Sequence, residues 1–228
     1  MSDDVWASLE PVGSGPDAHA HLPERAAAAL REQIAAGRVL PGTKLPEVRI
    51  THQLGVSRHT LRSAFQVLAG EGLVQRHPNR GVFVYEPQPE DIRELYRVRR
   101  IIQTGALRAA AFPEKSLEGL QEIVGRARNA LGGEDVHGMA EANQQFHRLI
   151  VAQARSVTLD TLMSEVLARM RLAFLTRRHE PTFHTRYVHR NGELADLLST
   201  GRRREAETYL IEYLVTAEND LIAHLEQE

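Results

Sequence analysis

Arg58, His59, Thr60, Arg62 and Gln66 lie close together, and no acidic residue occurs between Glu47 and Glu71. These side chains carry a particular chemistry. A guanidinium can pair with the O6 and N7 of guanine, and hydroxyls can bond phosphate oxygens. At about 100° per residue, Leu61, Ala64, Phe65 and Leu68 share one helix face, while His59, Arg62, Ser63 and Gln66 share the opposite one. Arg58 and Thr60 flank the first turn. A solvated surface helix ordinarily mixes acids with bases, whereas an acid-free outer face suits insertion into a major groove. Arg80, in Pro78-Asn79-Arg80-Gly81, could reach a phosphate or the minor groove; its plainer reading is a solvated turn charge.

A second set of polar residues falls on apolar stripes. Arg99 belongs to a stripe with Leu95, Ile102 and Ala106, and Asn143 and His147 share a face with Ile150 and Ala154. A buried guanidinium needs an anion, supplied by the protein or by a ligand. A lone histidine on such a face is more often a hydrogen-bonded core residue than a metal ligand.

The elements that must position these residues read as follows. An Ala-rich helix over 22–36 ends at Gly37, Pro41-Gly42 turns the chain, and a short helix covers 47–54 with Ile50 and Leu54 as its buried edge. Gly55 permits a sharp bend, and Ser57 is placed to cap the helix that carries Arg62. Residues 73–77 and 82–85 alternate as strands around the Pro78–Gly81 turn. This is the outline of a winged helix-turn-helix over 22–85. Glu86-Pro-Gln-Pro89 reads as a stiff, extended linker. From 90 to 228 the pattern is helical throughout, with segments near 90–111, 114–131, 136–155, 157–178, 183–200 and 202–226 separated by Pro113, Gly132-Gly133, Pro181 and Gly201. Short connections imply an antiparallel helical bundle. The fold class is therefore mostly α. Residues 1–21 hold four acids, no Lys or Arg and no periodicity, and read as a mobile acidic tail.

Charge follows this division. Residues 22–85 hold nine Lys and Arg against four Asp and Glu, while residues 86–228 hold nineteen against twenty-two. The positive charge sits where a grip on phosphates would need it. The absence of cysteine excludes disulfides, thiolate metal sites and a cysteine nucleophile. There is no signal-peptide pattern and no apolar run near the ~20 residues of a membrane span, so a cytoplasmic protein without membrane contact is expected. Phosphate loops, Gly-x-Ser-x-Gly and His-Glu-x-x-His are missing, and an enzyme is not expected.

Ile34-Ala-Ala-Gly-Arg-Val-Leu-Pro-Gly-Thr-Lys-Leu45, Leu54-Gly-Val-Ser-Arg58, Leu61-Arg62, Leu68-Ala-Gly-Glu-Gly-Leu-Val74 and Arg80-Gly81-Val82 resemble the DNA-binding domain of the GntR superfamily of bacterial transcription regulators. The resemblance implies DNA contacts from Arg49, Ser57, Arg58, His59, Thr60, Arg62, Gln66 and Arg80. Family members commonly carry Arg directly after the residue matching Glu47; here Val48 stands there and Arg49 follows. Asp91-Ile-Arg-Glu-Leu-Tyr-Arg-Val-Arg99 and Asn143-Gln-Gln-Phe-His147 resemble the FCD effector domain of the FadR-like branch. That domain often binds a divalent metal through one carboxylate and three histidines. The matching positions here are Asn143, His147, Asn191 and Tyr213, so only His147 survives as a metal ligand and a tightly held metal is disfavoured. The Glu that usually follows the residue matching Arg99 by one turn is Gln103.

The resemblance thus implies a repressor acting as a homodimer on a pseudo-palindromic double-stranded operator. A small, organic-acid-like effector would occupy a pocket lined by Arg99, Asn143, His147, Asn191 and Tyr213. The alternatives are a DNA-binding dimer without an effector and an enzyme that uses the helical domain. His189 competes with Asn191 for the pocket side of its helix, although two residues turn a helix by about 200°.

Overall fold

The structure is a computed structural model and describes residues 5–12, 21–176 and 180–226. The chain divides into two compact units, Met1–Pro87 and Gln88–Glu228.

In the first unit, α1 (Leu22–Ala35) starts with a proline in its first turn and runs through alanines that lose almost no side-chain entropy on becoming helical. Ala26, Ala27, Leu30 and Ile34 are buried against α3 (Arg58–Gly70), which turns Leu61, Ala64, Phe65 and Leu68 inward. Between them, α2 (Glu47–Leu54) buries Ile50 and Leu54. The wing consists of β2 (Val74–His77) and β3 (Gly81–Val84), paired antiparallel from Val74↔Val84 to His77↔Gly81. Asn79 (φ 60°) and Gly81 (φ 107°) turn the chain between them. A third strand, β1 (Lys44–Leu45), pairs antiparallel with β3, giving the order β1-β3-β2. Two residues are too few to show an alternating period, so the pattern had no means of revealing β1.

The mobile tail expected over 1–21 does not hold for residues 5–12. Val5–Ser8 form a single 3-10 turn, Trp6 and Leu9 are buried, and the Val12 N–H donates to the Leu54 carbonyl at 3.0 Å. The Ser8 hydroxyl donates to Gln33 Oε1 at 3.2 Å. One indole and one leucine bury enough apolar area to order a segment whose composition otherwise reads as solvated. The rest of that expectation lies outside the described residues.

In the second unit, α4 (Pro89–Ala109) begins earlier than the proposed linker allows. Pro89 occupies the first turn, where its missing N–H costs nothing, and the Gln88 N–H donates to Asp91 Oδ2 at 2.8 Å in a capping box. The extended connector therefore ends at Gln88. Five helices follow: α5 (Glu114–Gly132), α6 (Val136–Ala152), α7 (Val157–Thr176), α8 (Pro181–Ser199) and α9 (Arg203–Leu225). Asp135 caps α6 by accepting from the Gly138 N–H at 2.9 Å. Within the bundle α4 packs on α6, α7 and α9, and α8 on α5, α6 and α9, so α4, α6, α8 and α9 enclose a shared interior. No helix among the described residues is long and apolar enough to cross a membrane.

Candidate functional site

The outer face of α3 is built from the bend upward. Gly55 ends α2 at φ 64°, a conformation L side chains rarely adopt, and Ser57 follows in extended backbone. The Ser57 Oγ accepts from the Thr60 N–H at 3.0 Å and lies 2.9 Å from Thr60 Oγ1. Its acceptor capacity is thus partly committed to the cap, while Thr60 is half-buried. With Leu61, Ala64 and Leu68 fixed in the core, Arg58, His59, Arg62 and Gln66 are left exposed on the other side. Arg80 is exposed at the wing tip, with its guanidinium 5.8 Å from the Phe83 ring centre. Arg49 is half-buried, whereas Val48 is 68% exposed.

Two residues on this face escape a sequence reading. Glu47 Oε2 lies 3.5 Å from Arg62 Nε, a link between α2 and α3 that orients the guanidinium. Arg76 of β2 is exposed and, with His59 and Arg62, rims a groove of about 260 Å³ floored by Phe65, Val74 and Val82. An acid at a distance in sequence and an arginine on a four-residue strand give no periodic signal; the packing of α2 against α3 brings Glu47 here, and that of β2 against α3 brings Arg76.

The second constellation is buried in the bundle. His147 of α6 has Nδ1 2.7 Å from Gln103 Oε1 and Nε2 3.3 Å from the Tyr213 hydroxyl. The Asn191 amide donates to Asn143 Oδ1 at 2.9 Å. The Tyr213 hydroxyl lies 3.1 Å from Asn143 Oδ1 and 3.0 Å from Asn191 Oδ1, and its single proton can serve one of them at a time. Arg99 is 2% exposed, with its guanidinium 4.8 Å from the Tyr96 ring centre. Burial, reinforced by the Arg99 charge, holds the His147 imidazole well below its ordinary range and therefore neutral. Burial pushes the Tyr96 hydroxyl up to about 12 and Tyr213 higher still, so both remain protonated donors. The five expected pocket residues thus meet in one place, joined by Gln103 and Tyr96. His189 is exposed and Asn191 is 2% exposed, which decides the register of α8.

Comparison with known proteins assigns a family to each of the two units. The family model "Bacterial regulatory proteins, gntR family" matches residues 22–84, and the FCD domain model matches residues 94–216. This chain is a GntR-family transcription regulator with an FCD domain. The regulator is 35% identical to a GntR transcriptional regulator from Rhodococcus sp. RHA1, with a TM-score of 0.83 over 88% of this chain and 97% of that one. E. coli McbR/YncC shares the fold at 20% identity and a TM-score of 0.74, covering 90% of this chain and 97% of that one. Among curated relatives, an HTH-type transcriptional regulator of Agrobacterium vitis is 31% identical over 55% of this chain and 77% of its own length. The E. coli HTH-type transcriptional repressor RspR is 30% identical over 53% of this chain and 54% of its own, so the match spans about half of that relative.

For a divalent metal the regulator's donor set is a poor fit. The four positions supply one imidazole, two carboxamides and a phenol, and both imidazole nitrogens already face hydrogen-bonding partners. Among the described residues no group of three or more His, Cys, Asp or Glu could hold a metal ion. An interlocked amide–phenol–imidazole network is a set of hydrogen-bonding groups, and it lacks the anionic oxygen that hard cations require.

Proposed function

We propose that this regulator is a repressor that binds a pseudo-palindromic operator as a homodimer and changes its affinity when a small anionic metabolite enters the FCD bundle. The observation that carries the reading is the exposed, acid-free outer face of α3, presented by a capped helix whose opposite face is locked in the core. Arg62 and Gln66 would read base edges, Arg58, Ser57 and Arg80 would bind backbone, and Arg49 would approach DNA beside Val48. A half-site alone rarely gives enough specificity, which favours two copies on two-fold DNA. Arg99, buried without a protein carboxylate among the described residues, supports an anionic effector. We further propose that the bundle works without a tightly held metal and carries out no catalysis.

Fluorescence anisotropy with the DNA upstream of the regulator's own gene, with and without candidate acids, tests this. Saturable binding at two chains per site, weakened by an acid, is expected. Binding that no acid alters would leave a DNA-binding dimer without an effector. Metal analysis of the purified chain checks the metal-free reading, and stoichiometric zinc or manganese would sink it.

A further inference from the structure

Arg76 stands where the pattern of the wing calls for an apolar side chain. On β2 it follows Val74 by two residues and pairs with Val82 of β3, so the three share the sheet face that turns toward α3. Val74 and Val82 are buried there, whereas Arg76 is exposed. An arginine at the edge of apolar surface lays its stem on that surface and keeps its charged head in water. Here the surface is the groove floor of Phe65, Val74 and Val82, and the head stands at the rim. Among the described residues Arg76 has no hydrogen-bonding or acidic partner. On the same rim is Arg62, which has Glu47 as its counter-charge. The next acid along the chain is Glu71, and it is bound to Arg31 at 2.8 Å. The fold therefore points an unneutralised guanidinium at a helix face that is itself basic, a repulsion that a shared anion relieves.

We propose that the groove between α3 and β2 seats the sugar–phosphate backbone of the DNA, and that Arg76 binds one phosphate there for each bound chain. The proposal rests on the DNA-reading role given above to α3, and adds a strand-borne contact to those of the helix and the wing tip. A backbone passing through the groove offers a phosphate to Arg76 and to the neutral donors Ser63 and Gln66 of α3. It offers deoxyribose carbons to the apolar floor. The groove also sorts its two arginines by role. Arg62 lies beside a carboxylate that repels phosphate, while Arg76 has no such neighbour and is the better phosphate ligand. A phosphate contact fixes the orientation of the protein on the duplex and carries no base information, so Arg76 is a positioning residue.

Fluorescence anisotropy on the full chain tests this, with a duplex that the parent selects from a random pool and an unrelated duplex of equal length. Salt is varied from about 50 to about 200 mM. Arg76→Gln should weaken binding to both duplexes and lower the slope of log K against log salt by about 0.9 per bound chain, leaving the selected sequence unchanged. The affinity lost over that salt range then shrinks by about threefold to fourfold per chain. Arg76→Lys should keep the parental slope. Replacing single phosphates of the selected duplex by neutral methylphosphonate adds a readout that a merely structural role would not move. At one phosphate per bound chain the replacement should cost the parent as much affinity as Arg76→Gln does, and should cost Arg76→Gln nothing further. A parental slope in Arg76→Gln, an altered base preference, or additive losses at every phosphate would each overturn the proposal. The two readings fail separately. A parent that selects no sequence, yet binds duplex with an Arg76-dependent slope, removes the operator reading and leaves the groove contact. A parent that reads an operator with an Arg76-independent slope does the reverse.

Discussion

At the scale of single residues, the two sites work by opposite physics. Arg62 is exposed, with Nε 3.5 Å from Glu47 Oε2, and its proposed role is to pair with a base edge. Arg62→Ala is expected to weaken specific operator binding by about 1–3 kcal/mol and to flatten base preference at one position per half-site, measured by anisotropy with substituted operators. Unchanged affinity and preference would remove its assigned role. In the bundle, His147 is buried and neutral, its folded-state pKa depressed chiefly by burial and then by Arg99. The unfolded chain takes up this proton near pH 6.5 while the folded one does not, so its contribution falls as pH drops below that value. The loss reaches at most about 1.4 kcal/mol per pH unit until the folded-state pKa is met. Denaturant midpoints between pH 7 and pH 5 should therefore fall more steeply for the parent chain than for His147→Gln; parallel curves would show that His147 does not titrate in this way. The identities of both residues were legible in the sequence. Glu47 as the partner of Arg62, and Gln103 as the partner of His147, were not, because both contacts join helices and arise only when those helices pack.

At the scale of elements, the α2–α3 corner depends on three local devices. Ser57 satisfies one free N–H of α3, Gly55 supplies the left-handed turn, and Val5–Val12 cover the end of α2. Ser57→Ala should cost about 1 kcal/mol of stability in the first unit. A Cβ at Gly55 would meet Pro11 at an ordinary 3.8 Å, so the penalty of Gly55→Ala is conformational, on the order of 1–2 kcal/mol. Trp6→Ala should destabilise the same unit by about 1–3 kcal/mol, a cost that a mobile tail would not incur. Thermal unfolding followed by circular dichroism reads all three; a neutral Trp6→Ala would return residues 5–12 to the status of a tail. The helix boundaries of both units were readable from period, cap and proline signals to within a few residues. The 3-10 turn and β1 were too short for any period to register.

At the scale of the whole molecule, the excess of Lys and Arg is confined to residues 22–85. Operator affinity should therefore fall steeply with salt, log K declining linearly with log salt at about 0.9 per phosphate neutralised. Removing Arg58 or Arg80 should lower that slope by about one if each binds a phosphate. What the sequence determined by itself was this division of labour: a winged helix-turn-helix, a break before the helical bundle, and the family to which the chain belongs. Those signals are local or periodic, set by backbone geometry and by which face of each element is apolar. Only the tertiary structure decided that Asn191 rather than His189 faces inward and that Tyr96, Arg99 and Gln103 share buried, unmet donors. Whether a buried polar group is satisfied depends on what four separate helices bring to the same place, and no stretch of sequence carries that information.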